Sequence, residues 1–183
     1  MNVFVAGVHG VGKTYLASHL PPGSGLNHTS ASKLIREERD LPTWGADKRV
    51  ADVEENQVAL AAAVARHNAE GTALLLDGHF VLLNQDRKFM PLGAEVFKSL
   101  HLSAVILVEA PADVVASRLS ARDGGQPDPV FLEAFMAKER SQAHAVCGEL
   151  RLPLHVLISP SDAEFEAAVQ SSRQQWQRVV PST

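Results

Sequence analysis

The run Gly7-Val8-His9-Gly10-Val11-Gly12-Lys13-Thr14 constrains this chain more than any other segment. It follows a short apolar stretch, Asn2-Val3-Phe4-Val5-Ala6, and leads into a helical pattern from Lys13 to Leu20 that stops at Pro21-Pro22-Gly23. Strand, glycine-rich turn and helix, in that order, is the setting in which the spacing G-x-x-x-x-G-K-[ST] has physical meaning. Glycines let the backbone curl until successive N–H groups face one concavity that suits a phosphate. The helix that follows adds its positive N-terminal end. Gly7, His9, Gly10, Val11 and Gly12 are therefore the candidate cradle. Lys13 can reach the β- and γ-phosphates of a nucleotide, and the Thr14 hydroxyl can face Mg²⁺. The plainer alternative is a glycine-rich turn with a solvent-exposed lysine, and the flanking strand and helix weigh against it.

The rest of the chain alternates strands with helices. Residues 25–29 suit a short strand, and Ser30 suits an N-cap before Lys33-Leu34-Ile35-Arg36-Glu37-Glu38, an element that ends by Pro42. A long helical pattern runs from Asp47 to Glu70 and is closed by Gly71. Ala73-Leu74-Leu75-Leu76 is apolar at every position and ends in Asp77-Gly78-His79, as a strand buried on both faces of a parallel sheet would. Residues 84–92 read as a polar loop, and a short helix follows around 93–100. Ala104 to Val108 is the next buried strand, and Ala110-Pro111 opens a helix through about Leu119. A loop over 121–129, a helix from about Val130 to Leu150, a strand over 154–158 and a helix over 161–177 complete the order. This order predicts a five-stranded parallel sheet with helices on both faces and right-handed crossovers.

An acidic group is expected at the end of a neighbouring strand, where it would hold the water shell of a metal. Asp77 fits, although alone it would read as a turn cap. Asp113 and Asp162 begin helices and read as caps. The 183 residues suit one domain, with a core on 1–29, 71–116 and 141–183 and two flaps, about 30–70 and about 117–140. A net charge of −4 argues against a large nucleic-acid footprint but allows one local basic pocket. The lone cysteine, Cys147, excludes an intrachain disulfide framework and any multi-cysteine metal site. The eight histidines show no H-x-H or H-x-x-x-H spacing, so a metal site built from protein ligands is not expected. No apolar run reaches a membrane span, and the N-terminal apolar residues lead into a motif that must stay attached, so the expected setting is the cytoplasm. Asn56 and Gln57 could read a base edge through their amides, and Trp44 and Phe80 could sandwich a ring, with solvation and core packing as the alternatives.

With these landmarks in place the sequence resembles the P-loop nucleoside-monophosphate kinases, especially compact short-lid adenylate kinases of archaeal and nuclear type. The likeness runs from residue 2 to about residue 158. It rests on the phosphate loop, on Ser30-Ala31-Ser32-Lys33-Leu34-Ile35-Arg36, on Asp77-Gly78-His79 and on Arg118-Leu119-Ser120-Ala121-Arg122-Asp123. The resemblance implies a P-loop NTPase fold with an acceptor flap and a short lid. It also implies that Arg36 binds an acceptor monophosphate; Ser32, Gln57 and His79 are the further substrate-binding candidates, with His79 placed to orient a water or a phosphate or else to pack as an ordinary hydrogen-bonded histidine. Arg118 would stack on the ATP base, Arg122 and Arg140 would reach the phosphates, and Tyr15 would join the nucleotide contacts. Arg118 and Arg122 are four residues apart and share a helix face. Departures are His9 in place of a usual proline, a lid without a cysteine cluster, and no D-G-F-P-R run, for which Arg87 is a weak stand-in. The reading is Mg²⁺-dependent transfer of the ATP γ-phosphoryl group to a small acceptor, a nucleoside monophosphate, with Lys13, Asp77, Arg122 and Arg140 in the catalytic roles. The alternatives are a kinase of a hydroxyl-bearing metabolite, with a carboxylate base near Asp77 or Asp40, and an ATP-binding switch acting with a partner. Neither nucleic acid nor membrane is expected as a partner.

Overall fold

Successive side chains of a strand point to opposite faces, so a strand apolar at every position needs cover on both sides. The computed structural model, which describes residues 1–40, 53–84, 86–125 and 127–179, provides that cover. Strands β1 (Asn2–Ala6), β3 (Leu74–Asp77) and β6 (Leu102–Glu109) form the middle of a five-stranded parallel sheet. The order is β2-β3-β1-β6-β7, with β2 (Asn27–Ser30) and β7 (Leu154–Ile158) at the edges. Val3 lies opposite both Leu75 and Ala104, which sets the faces. Phe4, Leu74, Leu76, Val105 and Leu107 point to one side, and Val3, Val5, Leu75, Ile106 and Val108 to the other.

Each face has its own helices. Leu34 of α2 (Ala31–Glu38), Val64 of α3 (Val53–Ala69) and Phe97 of α4 (Ala94–Lys98) cover the first. Leu16 of α1 (Lys13–Ser18), Val115 of α5 (Ala112–Asp123) and Phe165 of α7 (Asp162–Val179) cover the second. The long α6 (Pro129–Leu150) serves both, with Leu132 and Phe135 on one side and Ala143, Val146 and Cys147 on the other. Burying one such Leu or Phe side chain contributes about 1.5–3 kcal/mol.

Register at the N-terminus is pinned by a polar residue. The buried Asn2 amide donates to Leu100 O (2.8 Å) and its Oδ1 accepts from Leu74 N (2.9 Å), while Ser103 Oγ donates to Asn2 O (3.1 Å). These bonds carry β6 back to Leu102, two residues before the apolar run suggested. Ser30 caps α2 by accepting from Lys33 N at 3.1 Å. The segment expected as a polar loop, 84–92, instead contains β5 (Phe89–Pro91), which pairs antiparallel with β4 (Val81–Leu83) just before it. Asn84 Oδ1 closes its turn by accepting from Asp86 N (3.0 Å) and Lys88 N (2.8 Å). Phe89 anchors the pair by stacking on Phe131 and Phe135, with centroids at 5.2 and 5.5 Å. Helix α5 continues past Leu119 because nothing breaks it before Gly124, whose φ of +71° ends it in the left-handed region.

Candidate active site

The phosphate loop leaves β1 at Gly7, where φ is +139° and a β-carbon would lie 2.3 Å from Val108 O. No side chain fits there, so the first glycine of the motif is required by the approach of β6. Lys13 opens α1, and its buried ammonium donates to Gly7 O (2.5 Å) and lies 3.6 Å from Asp77 Oδ1. Thr14 Oγ1 donates to Asp77 Oδ2 at 3.1 Å. These three groups meet because β1 and β3 are neighbours: Val5 pairs with Asp77, so both chains turn out of the sheet at the same level. Gly78 then makes the turn against the core, since a β-carbon there would lie 2.6 Å from Phe4 Cζ.

A cavity of about 650 Å³ opens from this point. Lys13, Thr14 and Asp77 line one side, and Ser32, Arg36 and Gln57 on α2 and α3 line another. His79 and His9 also border it, with ring centroids 4.4 Å apart. Tyr15, exposed at the start of α1, and Arg122 face this space as well, as do Gly10 and Gly12 of the loop, whereas Gly7 and Val11 do not line it. Thr14 and Asp77 offer hard oxygen donors, a set that suits Mg²⁺ held together with waters and phosphates. Among the described residues no group of three or more His, Cys, Asp or Glu could hold a metal ion by itself.

The arginines expected to share the phosphates do not converge. Arg118 Nη1 donates to Gly10 O (3.1 Å) and Val11 O (3.0 Å), bracing the outside of the loop rather than lining the cavity. Arg122 borders the cavity but forks onto Asp123, with both contacts at 2.7 Å. Arg140 forks onto the buried Glu109 at 2.7 and 2.5 Å and stays outside the cavity. Phe80 does not face a ligand either: it stacks on Phe97 (4.5 Å) and meets Phe4 edge-on (5.4 Å), so it belongs to the core. Trp44 lies outside the described residues. Asn56, which also borders the cavity, accepts from Arg39 at 2.5 Å. Arg87 sits over the Phe131 ring at 4.6 Å, away from the cavity.

Glu139 and Arg140 are consecutive in the sequence, but the structure sends their side chains to different surroundings. Glu139 is 1% exposed and accepts from Gly7 N, Phe80 N and Val81 N. Burial pushes its carboxyl above the usual range, and the backbone donors together with the Lys13 charge oppose that shift. A signal was present: Leu132, Phe135, Glu139, Ala143 and Val146 are buried at spacings of three and four. Glu139 is thus an acid set within the apolar stripe of its helix.

A glycine-rich turn between a buried strand and a helix, backed by a strand-end aspartate on a parallel sheet, defines the P-loop kinase-like α/β fold. The chain belongs to the AAA domain family AAA_17, which matches residues 6–130. No curated protein matches the sequence. Solved structures with the same fold include a protein of Chloroflexus aurantiacus j-10-fl assigned as a kinase, at TM-score 0.59 and 20% identity, covering 95% of this chain and 97% of that one. A sugar kinase from Janibacter sp. HTCC2649 matches at 0.54 and 17%, covering 99% and 98%. A gluconokinase from Sinorhizobium meliloti 1021 matches at 0.54 and 14%, covering 100% and 97%. No helix among the described residues is long and apolar enough to cross a membrane.

Proposed function

We propose that this chain is an ATP-dependent phosphotransferase that passes the γ-phosphoryl group to a small acceptor, a nucleoside monophosphate. One observation carries the reading: a single cavity joins the phosphate loop to Ser32, Arg36 and Gln57. Donor and acceptor can therefore meet in one chamber rather than at separate sites. Phosphoryl transfer asks little covalent chemistry of a protein, and its rate comes from positioning and charge neutralisation. Lys13 leaves Gly7 O for the β- and γ-phosphates, while Thr14 and Asp77 would hold Mg²⁺, Asp77 through water. Such an ion would supply neutralisation of the charge that develops on the transferring phosphoryl group. Arg36 presents a planar guanidinium to the acceptor phosphate, a geometry suited to a two-bond fork. Arg122 exchanges Asp123 for the phosphates. A phosphate acceptor is already anionic and needs no general base, so excluding water matters more. Closure of α2 and α3 on one side and of the α5–α6 segment on the other serves that end.

A second reading, transfer to a hydroxyl-bearing metabolite, is favoured by two observations. Proteins of the same fold include a sugar kinase and a gluconokinase. Asp77 is also the only carboxylate among the described residues that lines the cavity, so it could take the hydroxyl proton. One assay separates the readings: ADP formation from ATP with a panel of nucleoside monophosphates, sugars, sugar acids and buffer alone. ADP released only with a monophosphate supports the proposal, and ADP released only with a hydroxyl acceptor supports the second reading. Equal release with buffer alone refutes both and leaves an ATP-hydrolysing switch.

A further inference from the structure

Two short segments carry the reactive groups of this site, and one buried side chain ties them together. The phosphate loop begins at Gly7, and the turn after β3 runs from Asp77 through Gly78 and His79 into Phe80 and Val81. The Glu139 carboxylate enters between them from the middle of α6. Its Oε1 accepts from Gly7 N (3.2 Å) and Phe80 N (3.0 Å), and its Oε2 accepts from Phe80 N (3.0 Å) and Val81 N (2.8 Å). His79 Nδ1 lies 3.9 Å from Oε1. No water reaches this carboxylate in quantity, since the residue is 1% exposed.

A buried carboxylate is costly unless its oxygens are occupied by donors. Here the donors are backbone amides of two segments just beyond the last β1–β3 rung, where Gly78 N donates to Val5 O at 3.0 Å. A carboxylate accepts on both oxygens, so it can hold all three N–H groups at once. An amide of the same shape cannot, because its NH₂ would face a donor. The choice of glutamate over glutamine at this place therefore has a reason that shape alone does not supply. Asp77 is three residues from Phe80, and Lys13 lies close enough to Glu139 for its charge to act on the carboxyl.

We propose that Glu139 is a positioning residue: it clamps the turn after β3 onto the start of the phosphate loop, and so fixes where Asp77 stands relative to Lys13 and Thr14. For its kinetic consequence this rests on the phosphotransfer reading. Glu139 touches neither nucleotide nor acceptor, and it acts through Asp77. Removing the clamp should therefore lower turnover and weaken the response to Mg²⁺, while leaving the acceptor side at Arg36 unchanged.

The test is a double-mutant cycle on the full chain, with Glu139→Gln, Asp77→Asn and the pair. Val146→Ala, a buried α6 substitution outside the site, serves as the control for lost stability. Glu139→Gln should lower kcat about 10- to 100-fold, the range for losing bonds to a charged group. The acceptor KM should stay within about two-fold, and half-activation should need more Mg²⁺. In the pair, the further loss caused by Asp77→Asn should be much smaller than in the parent, because the two residues act as one unit. A purely structural prop predicts that Glu139→Gln, like Val146→Ala, keeps parental kcat in whatever protein remains folded and that Asp77→Asn costs as much in the pair as in the parent, and that result overturns the proposal. Should Glu139→Gln fail to fold, Glu139→Asp keeps the charge but shortens the reach, and it enters the same cycle with the same expectations. A parent that turns over no acceptor sinks the phosphotransfer reading instead. The clamp is then read from amide hydrogen exchange: protection of Gly7, Phe80 and Val81 should fall at least ten-fold in the variant relative to Ile106. Unchanged protection overturns it.

Discussion

Gly78→Ala is the sharpest structural test of the site, because its cost can be worked from two distances. The added methyl would lie 2.6 Å from Phe4 Cζ and 2.8 Å from Phe4 Cε2. Comfortable carbon contacts lie near 3.5–4.0 Å, so something must move by about 1 Å. Phe4 cannot simply rotate away: it is 2% exposed and held edge-on by Phe80 at 5.4 Å and Phe97 at 5.3 Å. Overpacking of this kind costs about 1–3 kcal/mol. For a chain of this length each kcal/mol moves the midpoint by about 2–4 °C, so Tm should fall by roughly 2–12 °C. If the turn yields instead of the ring, Asp77 moves with it, and a displacement of about 1 Å can lower turnover ~100-fold. Calorimetry and steady-state turnover on the same preparation measure both. Phe4→Leu removes the two clashing ring atoms, so the double variant Phe4→Leu/Gly78→Ala should lose less than the two single losses combined, by about 0.5–3 kcal/mol of coupling. A Gly78→Ala protein within about 1 °C of the parent and with parental turnover would refute the close packing of this turn on Phe4.

Lys13→Ala should remove nearly all turnover, and a loss of only a few-fold, about 1 kcal/mol, would count against the loop as the reactive site. Asp77→Asn should shift the Mg²⁺ activation curve more than nucleotide affinity; superimposable curves would reduce Asp77 to a turn residue. Arg36→Ala should raise the acceptor KM about 10- to 100-fold at saturating ATP, and an unchanged KM and kcat would remove the acceptor assignment. Burial pushes the Cys147 thiol up to about 11. At pH 8 only about one thiol in a thousand is then thiolate, against about one in ten at an ordinary value near 9, so a thiol reagent should label the folded protein far more slowly than the unfolded one. Equal labelling rates would show that α6 does not shield this residue.

Features written in consecutive residues were legible from the sequence. The phosphate loop, the buried runs at Val3–Ala6 and Leu74–Leu76, the Ser30 cap and the strand-end position of Asp77 all depend on local pattern. The fully apolar strands require cover on both faces, and that requirement alone points to the parallel α/β class. The partners of Arg118 and Arg140 were not legible, because each lies far along the chain. Arg118 finds the loop carbonyls of Gly10 and Val11, and Arg140 finds Glu109. The hairpin over β4 and β5 was missed for the same reason, since it depends on Phe131 and Phe135 from a helix some forty residues on. Glu139 shows the division best. Its sequence neighbours make it an acid beside an arginine, a pattern that most often lies in water. Only folding brings Gly7, Phe80 and Val81 to its two oxygens. Desolvation is set by what surrounds a group in space, and that surrounding exists only once the sheet order has placed β1 between β3 and β6.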